Sequence, residues 1–173
     1  MKRTIVFDTG ALIAGDRNNP KICAIIRAAR DERATILVPA GCLAEAWRDG
    51  SSQANLARLM KGVHGVPALD AIAAVRAGER LVRVSASVGP IDASVVNIAC
   101  SHSPSIIVTS DPNDMASLLA TGPPRNVLVF SLLSGGYVMD VPHISPLAYE
   151  TTFETGTVEP MWDDVERQRV RTL

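Results

Sequence analysis

This sequence of 173 residues has few of the features that would assign it to a special class of protein. Aromatic residues make up only 4%, so the core must rest mainly on Ala, Val, Leu and Ile. The formal net charge is −1, which is not the basic balance typical of a nucleic-acid-binding domain. A local basic rim around an acidic site would not change that total, so nucleic acid is not excluded.

Cysteines and long apolar runs are also scarce. The three cysteines lie in apolar, helix-like contexts and match no zinc-site spacing, which predicts reduced and packed thiols. No run of 18 apolar residues occurs, so no transmembrane helix is predicted. Residues 1–8 lack the apolar region and cleavage site of a secretion signal. We therefore expect a cytoplasmic protein with no membrane association.

What the sequence does contain is an alternation of short apolar runs with helix-like patterns. Length and a 47% hydrophobic fraction suit one domain with a real core. The alternation predicts an α/β fold with a central, mostly parallel sheet. The predicted strands are 4–7, 35–38, 105–109 and 125–130, with a short edge strand at 63–67. The predicted helices are 20–32, 41–48, 51–61, 68–82, 115–120 and one beginning at residue 92.

The character of the sequence changes near residue 132. Glycines and prolines follow, and the periodicity is lost. We predict a main domain over residues 1–132 and a C-terminal extension over 133–173. The extension could bind a partner or a second copy, or it could be a loosely held tail.

Acidic residues occur where predicted strands end or where helices begin. Asp8 follows the first strand, Glu45 comes after the second, Asp92 heads a buried helix, and Asp111 follows the strand 105–109, with Asp114 three residues later. The four aspartates could simply stabilise helix N-termini, and Glu45 could be a solvated residue on a helix face. Because the carboxyl ends of parallel strands meet at one edge, we instead expect these carboxylates to converge.

Converging carboxylates raise one another's pKa unless a cation joins them. Their hard oxygen ligands suit Mg²⁺ or Mn²⁺. Such ions can activate water and stabilise the charge of an in-line phosphodiester displacement. The pattern therefore indicates metal-dependent hydrolysis of a phosphodiester.

Four segments together resemble the PIN-domain family, of the type found as VapC-like toxins in bacterial toxin–antitoxin pairs. The resemblance covers about residues 1–131, with its segments in the family's order. The segments are Val6-Phe7-Asp8-Thr9-Gly10-Ala11-Leu12, Val38-Pro39-Ala40-Gly41-Cys42-Leu43-Ala44-Glu45-Ala46-Trp47-Arg48, Ile91-Asp92-Ala93-Ser94-Val95-Val96-Asn97-Ile98-Ala99 and Val108-Thr109-Ser110-Asp111-Pro112-Asn113-Asp114.

The resemblance implies a three-layer α/β/α domain and an Mg²⁺- or Mn²⁺-dependent endoribonuclease whose products carry a 5′-phosphate. It also implies an RNA substrate, a cognate antitoxin protein and a homodimer. Gly10 departs from the family pattern, because many members have Ser or Asn there. By motif position, the catalytic acids fall on Asp8, Glu45, Asp92 and Asp111, the metal ligands on Asp8, Asp92, Asp111 and Asp114, and the supporting hydroxyls on Thr9 and Thr109.

Two alternatives change the activity: one keeps the PIN fold, and the other is a flavodoxin- or receiver-like protein. A catalytically silent PIN-fold module could bind RNA or a protein without cleaving. A phosphate-handling protein would need a phosphate-binding loop, for which the segment after the first strand is a short signal. Five cations are candidates for an RNA-facing rim, although exposed Lys and Arg are most often ordinary solvated charges: Arg17, Lys21, Arg48, Arg58 and Lys61. The histidines show no ligand spacing and are expected on loops: His64, His102 and His143.

Overall fold

The structure is a computed structural model that describes residues 3–84, 87–123 and 125–133. Its sheet has four parallel strands, in the order β2-β1-β3-β4. The strands are β1 (Thr4–Phe7), β2 (Thr35–Leu37), β3 (Ser105–Thr109) and β4 (Val127–Ser131). Every residue of β1, β3 and β4 is buried, as expected for a parallel sheet covered on both faces.

Seven helices flank the sheet in the described residues. The first, α1, packs against α2, α3 and α4, whereas α6 packs against α5, α7 and the central strands. The predicted α/β class with a parallel sheet is confirmed, and all four described strands are parallel. The helices are α1 (Thr9–Asp16), α2 (Pro20–Asp31), α3 (Ala40–Ala46), α4 (Ala54–Met60), α5 (Ala71–Leu81), α6 (Pro90–Ser101) and α7 (Pro112–Leu119).

Local sequence explains most of the helix starts. Asn19 accepts a hydrogen bond from the Lys21 amide at the start of α2, and Pro20 supplies the fixed φ of a first helical turn. Asp70 accepts from the Ala73 amide at the start of α5 in the same way. Side chains of α1, β1 and β3 then form the centre of the core, which includes Ile5, Phe7, Leu12, Ile106 and Ile107.

The predicted edge strand at 63–67 is wrong. Only Gly65 pairs with Leu37, in an isolated bridge. The His64 ring nitrogen Nδ1 accepts the hydrogen bond of the Ile36 amide at 3.1 Å, so a side chain takes a position that strand pairing would use. Pro67 has no amide hydrogen with which to extend the ladder.

Several predicted helix boundaries also move. The third helix ends at Ala46 rather than at residue 48, because the Gln53 side-chain oxygen accepts from the amides of Arg48 and Asp49. The helix expected to begin at Asp92 begins at Pro90, so this carboxylate lies within its first turn. The last helix begins at Pro112.

Two further expectations concern cysteines and membranes. All three cysteines are free, and Cys42 is fully buried. Within residues 3–84, 87–123 and 125–133, no helix combines the length and the apolar character needed to cross a bilayer. The predicted extension lies outside the described residues, apart from Leu133.

Candidate active site: an acidic edge of the sheet

The order of the strands creates a crevice at the carboxyl end of the sheet. The chain passes from β1 to β2 on one side, then returns to place β3 and β4 on the other side of β1. In open α/β sheets, ligands bind outside the strand ends where the order reverses in this way. Asp8 directly follows β1, and Asp111 lies two residues after β3. These two acids therefore flank the reversal point.

Asp8 is the most buried of the acids, at 6% exposure. It precedes α1, and its Oδ1 accepts the Ala11 amide hydrogen bond at 2.6 Å. The Thr109 hydroxyl and the Ser110 amide also bond to its carboxylate. Burial nevertheless raises the pKa of Asp8 to about 6, and the negative charge of Asp92 adds to the rise. Loss of hydration outweighs these hydrogen bonds.

Thr109 connects the acids that follow β1 and β3. Its side-chain oxygen accepts the Asp111 amide hydrogen bond at 2.8 Å, while its hydroxyl bonds to the Asp8 carboxylate. Since a hydroxyl offers one donor and two acceptor lone pairs, it can make both bonds at once. Thr109 therefore lies between the acids that follow β1 and β3.

Thr9 holds the acid contributed by α3. Its hydroxyl donates to Glu45 Oε2 at 2.6 Å, which joins the first residue of α1 to the end of α3. Glu45 is exposed, and its carboxylate is therefore fixed by one side-chain bond at the surface. This bond links the start of α1 to the acid on α3.

Asp92, Asp111 and Asp114 occupy the starts of α6 and α7. Asp92 Oδ2 accepts from the Gly89 amide at 3.2 Å, and Asp111 Oδ1 from the Asp114 amide at 3.4 Å. Burial raises the pKa of Asp92, and the charges of Asp114, Glu45 and Asp111 raise it further. The pKa of Asp114 is raised by burial and by Asp111. These carboxylates therefore lie within each other's electrostatic field.

The Cys42 thiol responds to the same convergence. This buried group on α3 has a pKa raised to about 12, chiefly by burial. A hydrogen bond with Thr9 opposes the rise, whereas the charges of Asp8, Glu45 and Asp92 add to it. The pKa of this one thiol is thus raised by acids from three separate segments. We call the five acids of this region the acidic edge: Asp8, Glu45, Asp92, Asp111 and Asp114.

The structure also confirms the capping interpretation for three acids, because Asp8, Asp92 and Asp111 each accept a backbone hydrogen bond at a helix start. A carboxylate has about four lone-pair sites, so one cap bond leaves most of them available. None of the five acids forms an ion pair with another described residue. Their carboxylate oxygens are the ligand type that a hard divalent cation prefers. Still, no three His, Cys, Asp or Glu side chains in the described ranges form a metal-ligand group.

Ser110 is a neighbour of the site that sequence reasoning missed. A Cβ added to Gly10 would lie 2.5 Å from Ser110 Oγ and 2.8 Å from Ser110 Cβ. The serine thus occupies the space that a side chain at position 10 would need. Gly10 itself was the available signal, because a glycine in a helix often marks a close approach.

Other predicted residues lie outside the acidic edge. The Lys21 ammonium donates to the Leu132 carbonyl, and Arg58 to Asn55. His64 and His102 lie outside the helices and strands as predicted, and His143 is outside the described residues. A cavity of about 460 Å³ opens between the start of α3 and helices α5 and α6, and no acid of the acidic edge lines it.

Comparison of the sequence with protein-family models and with curated proteins finds no match.

Proposed function

We propose that this chain is an Mg²⁺- or Mn²⁺-dependent endoribonuclease of the PIN type, acting as the toxin of a type II toxin–antitoxin pair. The observation that carries the proposal is the convergence of acids from separate segments at the reversal point of the sheet. The negative charges of Asp114, Glu45 and Asp111 raise the pKa of Asp92. Those of Asp8, Glu45 and Asp92 raise the pKa of the Cys42 thiol. Structural capping alone gives no reason for such convergence.

Each residue of the acidic edge has a role in this proposal. Asp8, Asp92 and Asp111 would hold the metal, with Asp114 as a further ligand. The metal, when bound, activates water and stabilises the charge of an in-line displacement at the phosphodiester. Glu45, fixed by Thr9, contributes as a ligand or orients the attacking water. A closed protein cage is not required, because Mg²⁺ usually keeps several waters and binds through one or two carboxylates.

The finer architecture follows from chain direction. Crossovers between parallel strands are almost always right-handed. The β1-to-β2 connection runs opposite to the later two along the sheet, so its helices belong on the other face from α6 and α7. Helices on both faces support the three-layer α/β/α arrangement of the PIN type. An RNA substrate, a cognate antitoxin, a homodimer and a cytoplasmic location complete the proposal, each from the resemblance or the composition.

A catalytically silent PIN-fold module that binds RNA or protein is the second candidate. Its support is that three of the acids already serve as helix caps, and that no three form a metal-ligand group in the described ranges. The two candidates differ in whether RNA is cut.

Cleavage assays on tRNA, rRNA and mRNA pools with Mg²⁺ or Mn²⁺ separate them. We expect wild-type cleavage that leaves 5′-phosphates, and losses of about 100-fold or more for Asp8→Asn and Asp92→Asn, comparable to removing a group that stabilises developing charge. Asp70→Asn is the matched control, because Asp70 caps α5 outside the acidic edge. If all four proteins bind these RNAs but none cleaves them, the silent module is correct.

A further inference from the structure

Trp47 is exposed in a chain that buries its other described aromatic side chains. Phe7 and Phe130 are 0% and 3% exposed, whereas Trp47 is 39% exposed. A large apolar ring left in water at a fixed position is a common anchor for a binding partner. Neither the acidic edge nor the core uses this ring.

The edge of the Trp47 ring faces Gly50. A Cβ added to Gly50 would lie 3.0 Å from Cζ2 and 3.8 and 3.9 Å from the two ring atoms bonded to Cζ2. An approach onto the ring face would make these distances more nearly equal, so Gly50 meets the edge of the indole. The Trp47 amide also donates to the Leu43 carbonyl at 2.8 Å. The backbone that carries the indole is therefore fixed before any ligand arrives, which reduces the entropy cost of binding.

Arg48 adds a fixed cation beside this ring. Its Nη1 donates to the carbonyls of Ala44 at 3.1 Å and Trp47 at 3.0 Å. The guanidinium has five N–H donors, so several remain for an anionic ligand. The Gln53 side chain further fixes the segment by accepting from the Arg48 amide at 2.7 Å. Consecutive residues thus carry an exposed indole and a guanidinium with unused N–H donors.

This pair adjoins the acidic edge through Glu45. Two successive trans peptide bonds place the Cα atoms of Glu45 and Trp47 at most about 7.6 Å apart. Glu45 is in turn bonded to Thr9, the residue after Asp8. A nucleic-acid strand cut at the acidic edge would pass the Trp47–Arg48 pair within a nucleotide or two.

We propose that Trp47 and Arg48 form a nucleotide-binding site for single-stranded RNA, in which a base stacks on the indole and Arg48 binds the adjoining phosphate. Aromatic stacking of this kind tolerates any base, and arginine contributes both phosphate contacts and cation–π attraction. The site rests on the proposed function, whose substrate it defines as unpaired RNA. Trp47 is a positioning residue, because it acts on a nucleotide beside the scissile bond.

Intrinsic fluorescence tests the site directly. The sequence has two tryptophans, so Trp162→Phe leaves Trp47 as the sole reporter. The probes are oligo(A) and oligo(U) in EDTA, which prevents metal-dependent cleavage, and a duplex of the two. We expect both single strands to quench Trp47 and the duplex to quench far less, since its bases are already stacked.

Substitutions of Trp47 measure how much its ring contributes to RNA affinity. Trp47→Ala should weaken oligo(A) binding by about five- to 150-fold, the range for loss of one stacked base. Trp47→Phe should recover much of that loss because it restores an aromatic plane. Val82→Ala is the matched control, since Val82 is an exposed apolar residue at the end of α5, 85% exposed. In cleavage assays, Trp47→Ala should raise KM more than it lowers kcat.

The outcomes separate this inference from the proposed function. If Asp92→Asn abolishes cleavage while Trp47→Ala leaves KM and oligo(A) affinity unchanged, the stacking site is wrong and the nuclease proposal stands. If no RNA is cleaved but single strands quench Trp47 and Trp47→Ala abolishes binding, the stacking site stands alone. If Trp47 fluorescence changes with protein concentration and not with RNA, the ring belongs to an interface between copies, and the inference is overturned.

Discussion

Replacing Asp8 with asparagine should make the metal-free protein more stable at neutral pH. The folded protein holds the pKa of Asp8 at about 6, against an ordinary value of 3.8, mainly because the carboxyl is buried. The folded state therefore binds the proton more tightly than the unfolded state. Stability from this group is complete below about pH 4, decreases as pH rises, and is lost above about pH 6.

The size of the effect follows from the shift. One pKa unit corresponds to about 1.4 kcal/mol, so ionising Asp8 costs the folded state up to about 3 kcal/mol. The neutral amide of the Asp8→Asn variant would avoid this cost while its side-chain oxygen still accepts from the Ala11 amide. Its NH2 group cannot accept the bonds that Thr109 and Ser110 make to the carboxylate, so the gain is smaller than the full cost of ionisation. For a domain of this size, the gain near pH 7 is at most about 6–12 °C in Tm.

Urea unfolding of wild type and Asp8→Asn in EDTA, at intervals from about pH 4 to pH 8, measures this difference. The free energy of unfolding of the variant minus that of wild type should rise by up to about 3 kcal/mol between about pH 4 and pH 7. Asp70→Asn controls for removing a capping carboxylate at an exposed position. Parallel pH profiles for wild type and Asp8→Asn would refute the burial argument.

Three further outcomes test the packing around the site. Gly10→Ala should destabilise the fold by about 1–3 kcal/mol in urea unfolding, because its Cβ would overlap Ser110, and Ser110→Gly in the same chain should restore stability. Arg80→Ala should lower the free energy of unfolding by about 2–4 kcal/mol, since Arg80 donates to Asn97, Leu118 and Thr121. Arg76→Ala, at an exposed position on the same helix, should change it by less than about 0.5 kcal/mol. Equal losses for the two variants would contradict this role for Arg80. Cys42 should resist thiol reagents in the native protein and react only after unfolding, because it is buried and its pKa is raised. The Cys23→Ser, Cys100→Ser variant leaves Cys42 as the labelled cysteine, and rapid labelling of the native variant would contradict this prediction.

The strands could be predicted from sequence because they are buried on both faces. Such strands are short unbroken apolar runs, and Ser105–Thr109 matches its predicted range. Boundaries set by side chains could not be predicted in this way. His64 bonds to the Ile36 amide across 28 residues, and Gln53 ends α3 from outside that helix. These contacts exist only once distant segments have met.

The acidic edge was predictable to a similar depth. The positions of Asp8 and Asp111 after strands indicate a shared edge, and the fold places both beside the reversal point. How deeply each acid is buried could not be predicted from its position in the sequence. Asp8 is buried while Glu45 is exposed, a difference that depends on how α1 and α3 pack. The contact between Gly10 and Ser110 joins two segments 100 residues apart, so neither segment reveals it alone.

Helix capping and a shared carboxylate site are compatible in this structure, because the capping hydrogen bonds offset part of the repulsion between the carboxylates. Carboxylates brought together in a partly buried crevice repel one another, and this repulsion adds to burial in raising the pKa of Asp92. Backbone amides at the starts of α1, α6 and α7 offset part of that repulsion for Asp8, Asp92 and Asp111. They do not offset all of it, since burial and neighbouring charges still keep the pKa of Asp8 and Asp92 high. The remaining free energy is what a bound cation would recover, so the caps hold the acids in place without neutralising them.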